Sequence, residues 1–238
     1  HDRAKLDGLM KDDDLISEAK DFYEEAESYE SRWRDEWFDD LDFRALKQWP
    51  SAVLQSRQVS NIGEPPRPCL VFDQVDQYVR QVINDARMNP PALQALPVDD
   101  KADVQVAEAL QGLFRYIESV SRATAAYNTA LDWSATIGRG FIRLYSEQVD
   151  EYRNLWEPRI GRISNAMHVW YDPHSIELDG SDATDAMLVV DMSRSAFKRK
   201  YGIAGATIEW MGNSTDWINR DTIRVAEWHS CREESRPM

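Results

Sequence analysis

The chain has 238 residues, and its 42 aspartates and glutamates outnumber its 28 lysines and arginines, so its formal net charge is −14. Hydrophobic residues make up 42% of the chain and aromatic residues 11%, a composition that excludes intrinsic disorder. Two cysteines are too few for a disulfide framework, and no apolar run approaches the ~20 residues that cross a membrane. We therefore expect a globular protein with its own hydrophobic core.

The negative charge is concentrated at the start of the chain. Residues 1–42 hold 16 acidic and 6 basic residues, whereas the remainder holds 26 acidic and 22 basic residues. A protein that grips DNA statically makes many phosphate contacts and needs the opposite sign of charge. The composition therefore argues against a basic DNA-gripping domain, and it permits a surface along which DNA slides without sticking.

Residues 12–42 predict one long acidic helix. The aspartates at 12–14 suit the positive end of a helix dipole. Apolar residues recur at steps of three and four, which places them on one face, and we expect that face to pack against a partner element. A specific acidic docking surface is the alternative. The residues of the face are Leu15, Ala19, Phe22, Ala26, Tyr29, Trp33 and Trp37.

Residues 45–69 break the helical pattern and predict a long irregular loop. Pro50 and the proline-rich run at 65–68 interrupt regular structure. The stretch 51–60 shows no clear period and stays unassigned. Loops of this length inside a compact domain are usually functional or mobile.

Three further helices are predicted in chain order. The first spans residues 73–87 and is stopped by Pro90. The second begins near Asp100, and the third spans 122–137 and ends at a Gly-Arg-Gly sequence, 138–140, whose glycines permit a left-handed turn. The apolar residues of the second helix again step by four and three: Val106, Leu110, Leu113, Ile117 and Val120.

The helix at 73–87 has two distinct faces. Its predicted buried face consists of Val75, Val79, Val82, Ile83 and Ala86. Its polar face consists of Gln77, Arg80, Gln81, Asn84 and Arg87. An ordinary exposed face is one interpretation. The other is a contact surface for another subunit or for a phosphate backbone, because arginine makes forked contacts that lysine cannot make.

After residue 140 the pattern changes from helix to strand. Short β-branched or aromatic segments predict strands at 141–147, 162–171, 187–192 and 222–228. Ser193 is a suitable N-cap for a short helix that continues through Tyr201 and is closed by Gly202. The chain is therefore expected to be α+β, with long N-terminal helices followed by a mostly antiparallel sheet. It divides into an acidic lead helix (1–42), a helical core (43–140) and a β-rich portion (141–238).

No motif identifies an active site. The chain has no glycine-rich phosphate loop. His229 and Cys231 would share one face of a strand, but a zinc site would need His168 and His174 as further ligands, and unrelated roles are the simpler interpretation.

The acidic clusters have structural interpretations as well. The run at 99–103 is typical of a helix start, and Asp172 lies in a turn between strands. From the residues alone we expect a non-enzymatic protein, with no catalytic residue, no metal ligand and no cofactor.

One run of residues carries more information than periodicity. At 67–91 the sequence RPCLVFDQV leads into YVRQVINDARMNPP. Further motifs follow in order: ALPVDD at 95–100, YDP at 171–173 with SDA at 181–183, and RVAEW at 224–228. Together with Phe43–Trp49 and Ser193–Tyr201, they resemble the N-terminal core of the portal proteins of tailed bacteriophages, of the P22 type. The likeness runs from about residue 43 to residue 228.

The resemblance implies a ring of subunits, expected to be a dodecamer, at one vertex of the capsid. Double-stranded DNA passes through its channel in packaging and ejection, and the ring docks the terminase and the head–tail adaptor and tail proteins, with capsid and scaffold proteins as further partners. It also implies a virion component, assembled in the host cytoplasm, with no membrane partner and no cofactor. The clip and most of the tunnel helices of such a protein are expected beyond residue 238.

A ring requires interfaces between subunits, and four residues are candidates for them. Arg80 and Arg87 lie seven positions apart on one helix face, and Trp33 and Trp37 lie on the acidic helix. Two alternatives to a portal stay open. One is an adaptor that docks through the acidic helix, and the other is a metal-dependent phage nuclease that uses the acidic clusters.

Overall fold

The computed structural model describes residues 12–58, 67–90, 93–96, 104–150, 152, 154–177, 180–202, 217 and 221–231. The chain divides into two compact units. The split unit combines His1–Arg34 with Met167–Met238, and the central unit is Asp35–Ala166. The boundaries between the two units lie after residues 34 and 166. The division predicted from the sequence placed its boundaries after residues 42 and 140.

Helix α1 (Asp12–Arg44) confirms the long acidic helix that the sequence predicted. The composition of its buried face, however, differs from the prediction. Tyr29 and Trp33 are about half exposed, whereas Glu30 is only 4% exposed. Ala26 and Glu30 are buried and lie four residues apart, so they share one face of the helix. On this buried face a charged residue is therefore present where the apolar pattern predicted aromatic residues.

The split unit is built on a three-stranded antiparallel sheet in the order β3-β4-β5: Val169–Tyr171, Asp185–Ser193 and Thr222–Ser230. Alternate residues of β4, Met187 and Val189, point into the core, as the period of a strand requires. The first part of α1 packs against these residues through Ala26 and Tyr23, and the Tyr23 ring lies 5.0 Å from the Trp170 ring. The antiparallel sheet predicted for the second half of the chain is confirmed.

Arg34 connects α1 to strand β3. Its guanidinium group donates hydrogen bonds to the carbonyl oxygens of Met167 (2.7 Å) and Val169 (2.8 Å). The same group pairs with the carboxylate of Glu30 at 2.7 Å and lies 4.3 Å from the centre of the Trp170 ring. One planar cation thus satisfies two backbone acceptors and a buried carboxylate, which the donor fork of arginine allows and an ammonium group does not.

We predict that replacing Arg34 destabilises the split unit strongly. Arg34→Met removes the guanidinium group that pairs with the buried Glu30 carboxylate, which costs about 3 kcal/mol or more of unfolding free energy. Urea unfolding followed by tryptophan fluorescence measures this cost. The double variant Glu30→Met with Arg34→Met removes both charges, and it should be more stable than Arg34→Met alone. Equal stability of the two variants would contradict this account of the pair.

A turn between β3 and β4 is held by two aspartates. Asp182 accepts hydrogen bonds from the Ile176 amide (2.6 Å) and the Ser175 hydroxyl (2.7 Å). Asp172 accepts from the amides of His174 and Thr184, at 2.8 and 2.9 Å. The motifs YDP and SDA, which lie ten residues apart in sequence, therefore stabilise one turn. The structure confirms the turn expected at Asp172.

These hydrogen bonds lower the pKa of both carboxyl groups. For Asp182 the main cause is the hydrogen bond from the Ile176 amide, followed by that from the Ser175 hydroxyl. For Asp172, partial burial acts to raise the pKa, but the amide bonds from Thr184 and His174 outweigh it and the pKa is lowered.

We predict that the turn opens at acid pH. Because the folded-state pKa of each aspartate lies below its unfolded value of about 3.9, the stabilisation is complete above that value and is lost as the pH falls through the folded-state pKa values. Hydrogen exchange of the Ile176 and Thr184 amides, corrected for intrinsic rates, should show less protection at pH 2.5 than at pH 6. Protection that is unchanged down to pH 2.5 would contradict this assignment.

Helix α6 (Arg194–Tyr201) follows directly from β4. The Ser193 hydroxyl accepts a hydrogen bond from the Ala196 amide at 3.2 Å, and Gly202 ends the helix with φ of 71°. Both ends were predicted from the sequence and are confirmed. Because β4 is the central strand, the sheet fixes where α6 begins.

The described residues of the central unit form four further helices and a hairpin. The elements are α2 (Ser51–Gln58), α3 (Val75–Met88), α4 (Val104–Ser121), α5 (Ala123–Ile137), β1 (Ile142–Asp150) and β2 (Leu155–Arg162). Strands β1 and β2 pair antiparallel. Ala123 and Ala126 of α5 form a small core with Ile160 of β2.

Three features of the chain differ from the sequence prediction. Helix α2 lies inside the predicted loop at 45–69; its apolar residues are consecutive rather than spaced, and Pro50 accepts the first hydrogen bonds of its backbone. The predicted strand at 162–171 is divided, because β2 ends at Arg162 and a 3₁₀ turn precedes β3. Strand β2 itself was not predicted, since Pro158 and Gly161 disfavour strands.

Each glycine of the Gly-Arg-Gly sequence after α5 is needed for a different geometric reason. Gly138 caps the helix with φ of 83°, as predicted. Gly140 lies against the preceding helix, where a Cβ atom would come within 1.9 Å of the Ala130 carbonyl oxygen. The two glycines thus allow the chain to turn sharply from α5 into β1.

Candidate subunit interface

Helix α4 is apolar, yet none of its 18 residues is buried. The residues that the sequence placed on one stripe are largely exposed: Val106 (54%), Leu110 (42%), Leu113 (47%) and Val120 (45%). Ile117 is partly buried and packs against the small core of the central unit. We call the four exposed residues the α4 face. Side chains of this size normally lose most of their contact with water when a helix packs on a core.

The α4 face is exposed because the apolar arc of the helix is wide. Ala107 and Phe114 are partly buried along one edge of the arc, and the α4 face forms the other edge, within which only Ile117 is partly buried. Two hydrogen bonds attach the C-terminal end of the helix to the hairpin. The Ser121 hydroxyl accepts a hydrogen bond from the Ile160 amide at 3.1 Å, and the Tyr116 hydroxyl donates one to the Glu157 carboxylate at 3.3 Å. One edge is thus occupied by the chain itself, and the other is left to solvent.

An extended segment, 93–96, lies beside α4 and is held by one glutamine. The Gln111 side-chain oxygen accepts a hydrogen bond from the Ala95 amide at 2.9 Å, and its NH₂ group donates a hydrogen bond to the Leu93 carbonyl oxygen at 2.8 Å. This amide group imitates the backbone of a neighbouring strand. Leu93 and Leu96 are exposed, at 51% and 67%, so they add to the apolar surface of this region.

Helix α3 also exposes residues that the sequence assigned to its buried face. Only Ile83 is buried, while Val75 and Val82 are 39% and 53% exposed. The prediction of a fully buried face was wrong, because α3 packs mainly against α5 and has few neighbours elsewhere in the described residues. The central unit therefore exposes apolar side chains on two of its helices.

Arg44 holds α3 and α5 against the end of α1. Its guanidinium group pairs with Asp132 of α5 at 2.8 Å and with Asp76 of α3 at 3.3 Å, and it also donates to the Thr136 hydroxyl. Burial acts to lower the pKa of Arg44, but the hydrogen bonds that it donates to Asp132 and Asp76, together with their negative charges, outweigh burial and raise the pKa. The arginine stays charged, and it fixes the orientation of α3, on which two of the candidate interface residues lie.

The four candidate interface residues have different surroundings. Arg80 is exposed and pairs with Asp76 one helical turn away. Arg87 is exposed at the edge of a groove that Glu118 and Tyr127 also line. Trp33 is half exposed, whereas Trp37 is 8% exposed and lies beneath the guanidinium group of Arg139, 5.3 Å from its ring centre. Arg80 and Arg87 lie on the same helix as the exposed Val82, but the sequence did not associate them with the α4 face.

The residues considered for metal binding do not converge in the part of the chain that the structure describes. Within those ranges no group of three or more histidine, cysteine or acidic side chains could hold a metal ion. His174 faces Glu25 at 3.2 Å, and His229 faces Glu227 at 3.3 Å. Cys231 is an exposed free thiol. The acidic run at 99–103 lies outside the described residues.

Among the residues described above, no helix combines the length and the hydrophobicity needed for a membrane span. What the apolar surface of the central unit offers chemically is contact with another apolar surface.

Comparison with known proteins identifies relatives over most of the chain. Residues 20–238 match the model of a family described as phage P22-like portal protein. A curated relative named portal protein, from Acyrthosiphon pisum secondary endosymbiont phage 1, is 26% identical over 200 residues. The match covers 79% of this chain and 27% of the relative, so the chain spans about a quarter of that protein's length.

Proposed function

Because this chain belongs to the phage P22-like portal protein family, we propose that it is part of the subunit of a dodecameric ring at one vertex of a phage capsid. Double-stranded DNA passes through the channel of this ring during packaging and again during ejection. The protein is a structural component of the virion, it is assembled in the host cytoplasm, and it performs no chemistry of its own.

The α4 face is the observation that carries this proposal. Four large apolar side chains, each 42–54% exposed, lie along one side of a helix. Contiguous exposed apolar surface on a soluble protein usually marks a contact with another molecule. In a ring each subunit has two neighbours, and a neighbouring subunit that covers the α4 face would remove this apolar area from water.

The charge of the chain suits a passage for DNA. With a net charge of −14, the chain offers DNA little attraction overall. A channel wall that bound phosphates tightly would hold the DNA and slow its movement, since each contact adds a salt-dependent energy. Arg80, Arg87, Trp33 and Trp37 stay proposed contacts between subunits, and Trp37 has the least surface to offer because it is 8% exposed.

The ring would also serve as the attachment point for other components. We propose that it docks the terminase during packaging, and the head–tail adaptor and tail proteins afterwards, next to capsid and scaffold proteins. The family resemblance supports these partners, and no residue of this chain is assigned to them.

We predict that polar substitutions on the α4 face weaken assembly without unfolding the subunit. Leu110→Gln with Leu113→Gln removes two half-exposed leucines, worth about 2 kcal/mol for each subunit contact, or roughly a 30-fold higher concentration for assembly. Mass photometry of the full-length protein over a concentration series measures this shift. The far-ultraviolet circular dichroism of the variant should stay unchanged, because neither leucine is buried.

The control is Ile176→Gln, which removes an 88% exposed apolar side chain from the turn after β3. This variant should assemble like the unmodified protein. If the α4 variant assembles at the unmodified concentration, the α4 face is not the subunit contact. A full-length protein that stays monomeric or dimeric under all conditions would contradict the portal function itself.

A further inference from the structure

Helix α6 is a basic element in an acidic protein. Arg194, Lys198, Arg199 and Lys200 are all exposed, and the helix contains no acidic residue. Cations in the last turn suit the negative end of the helix dipole. However, adjacent like charges repel one another, and within the described residues neither Lys198 nor Arg199 forms an ion pair. The helix dipole alone therefore does not account for the basic surface.

The opposite sign of charge lies on the outward face of α1 in the same unit. Asp21 and Glu24 are exposed and lie about one turn apart, and Asp14 and Glu25 lie on the same side of the helix. In the described part of the chain, neither Asp21 nor Glu24 has a cationic partner. The split unit thus carries two exposed surfaces of opposite charge, one on α6 and one on α1.

A closed ring needs two complementary surfaces on each subunit. Contacts around a ring are heterologous, so one face of a subunit meets a different face of its neighbour. This chain carries a net charge of −14, so copies of it repel one another, and opposite charges that meet at a contact offset this repulsion. We propose that α6 of one subunit docks on the acidic face of α1, around Asp21 and Glu24, of a second copy of this chain. This inference rests on the ring assembly proposed above.

A second copy suits α6 better than DNA does. A phosphate backbone that approached α6 would meet a chain with 14 more acidic than basic residues, and this excess repels it. A second copy instead brings its own carboxylates to the basic helix. An interface of this kind weakens as the salt concentration rises, because opposite charges at a surface are screened.

Charge reversal and charge exchange test the proposal in the full-length protein. Lys198→Glu with Arg199→Glu, and separately Asp21→Lys with Glu24→Lys, should each raise the concentration for half-assembly at least tenfold in 0.1 M NaCl. The combination of all four substitutions recreates opposite charges with their places exchanged, and it should recover most of the assembly. Circular dichroism verifies that each variant is folded. If the combined variant assembles, misfolding does not explain why each reversed pair alone fails to assemble.

The control separates complementarity from net charge. Lys198→Glu and Arg199→Glu combined with Asp85→Lys and Glu177→Lys restores the net charge but places no cation on α1, and it should not recover assembly. If this control recovers as well as the exchanged variant, or if the reversals have no effect on a protein that forms rings, this inference fails and the ring proposal stands. If the Lys198→Glu, Arg199→Glu variant loses binding to a 100-base-pair DNA duplex but still forms rings, α6 is a DNA contact and the proposed docking on α1 is wrong. An unmodified protein that never assembles would overturn both proposals.

Discussion

The split unit depends on one guanidinium group. Arg34 satisfies the carbonyl oxygens of Met167 and Val169, neutralises the buried Glu30 and covers the Trp170 ring. Without it, the buried carboxylate of Glu30 would lose the guanidinium group that it pairs with at 2.7 Å. Because β3 pairs with β4, and β4 leads directly into α6, this contact also determines where the basic helix is displayed.

The central unit shows the opposite arrangement, since much of its apolar surface is not used within the chain. Arg44 fixes α3 and α5 at the end of α1, and the hairpin holds one edge of α4. The other edge of α4 stays exposed. Exposed apolar area of this kind has a free-energy cost in an isolated subunit and becomes favourable only when another surface covers it. The ring proposed above would supply such a surface from a neighbouring subunit.

The sequence predicts the elements of this fold better than it predicts their burial. The acidic helix, the Ser193 cap, the Gly138 turn and the strands β4 and β5 follow from local signals that act within a few residues. The exposure of Leu110 and Leu113 could not be predicted, because periodicity shows that a face is apolar and says nothing about whether it is covered by the chain or by another molecule.

Charged residues on apolar faces were the second source of error. Glu30 and Arg34 occupy inward positions of α1 because their opposite charges pair with each other. A pattern that counts only apolar residues does not predict such a buried pair. Strand β2 was missed for a related reason, since Pro158 and Gly161 disfavour a strand, while Arg159 is buried between Glu147 and Glu157 of the hairpin. The family, by contrast, was identified from the order of several short motifs, and the comparison with known proteins confirms it.

Electron microscopy of the full-length purified protein distinguishes a ring from a smaller particle. We expect top views of a closed ring with a central hole, and a map in which a neighbouring subunit covers Leu110 and Leu113. A closed ring whose α4 face is still open to solvent would contradict the assignment of the interface. Particles that remain single or paired would contradict the assignment of this chain to a portal ring.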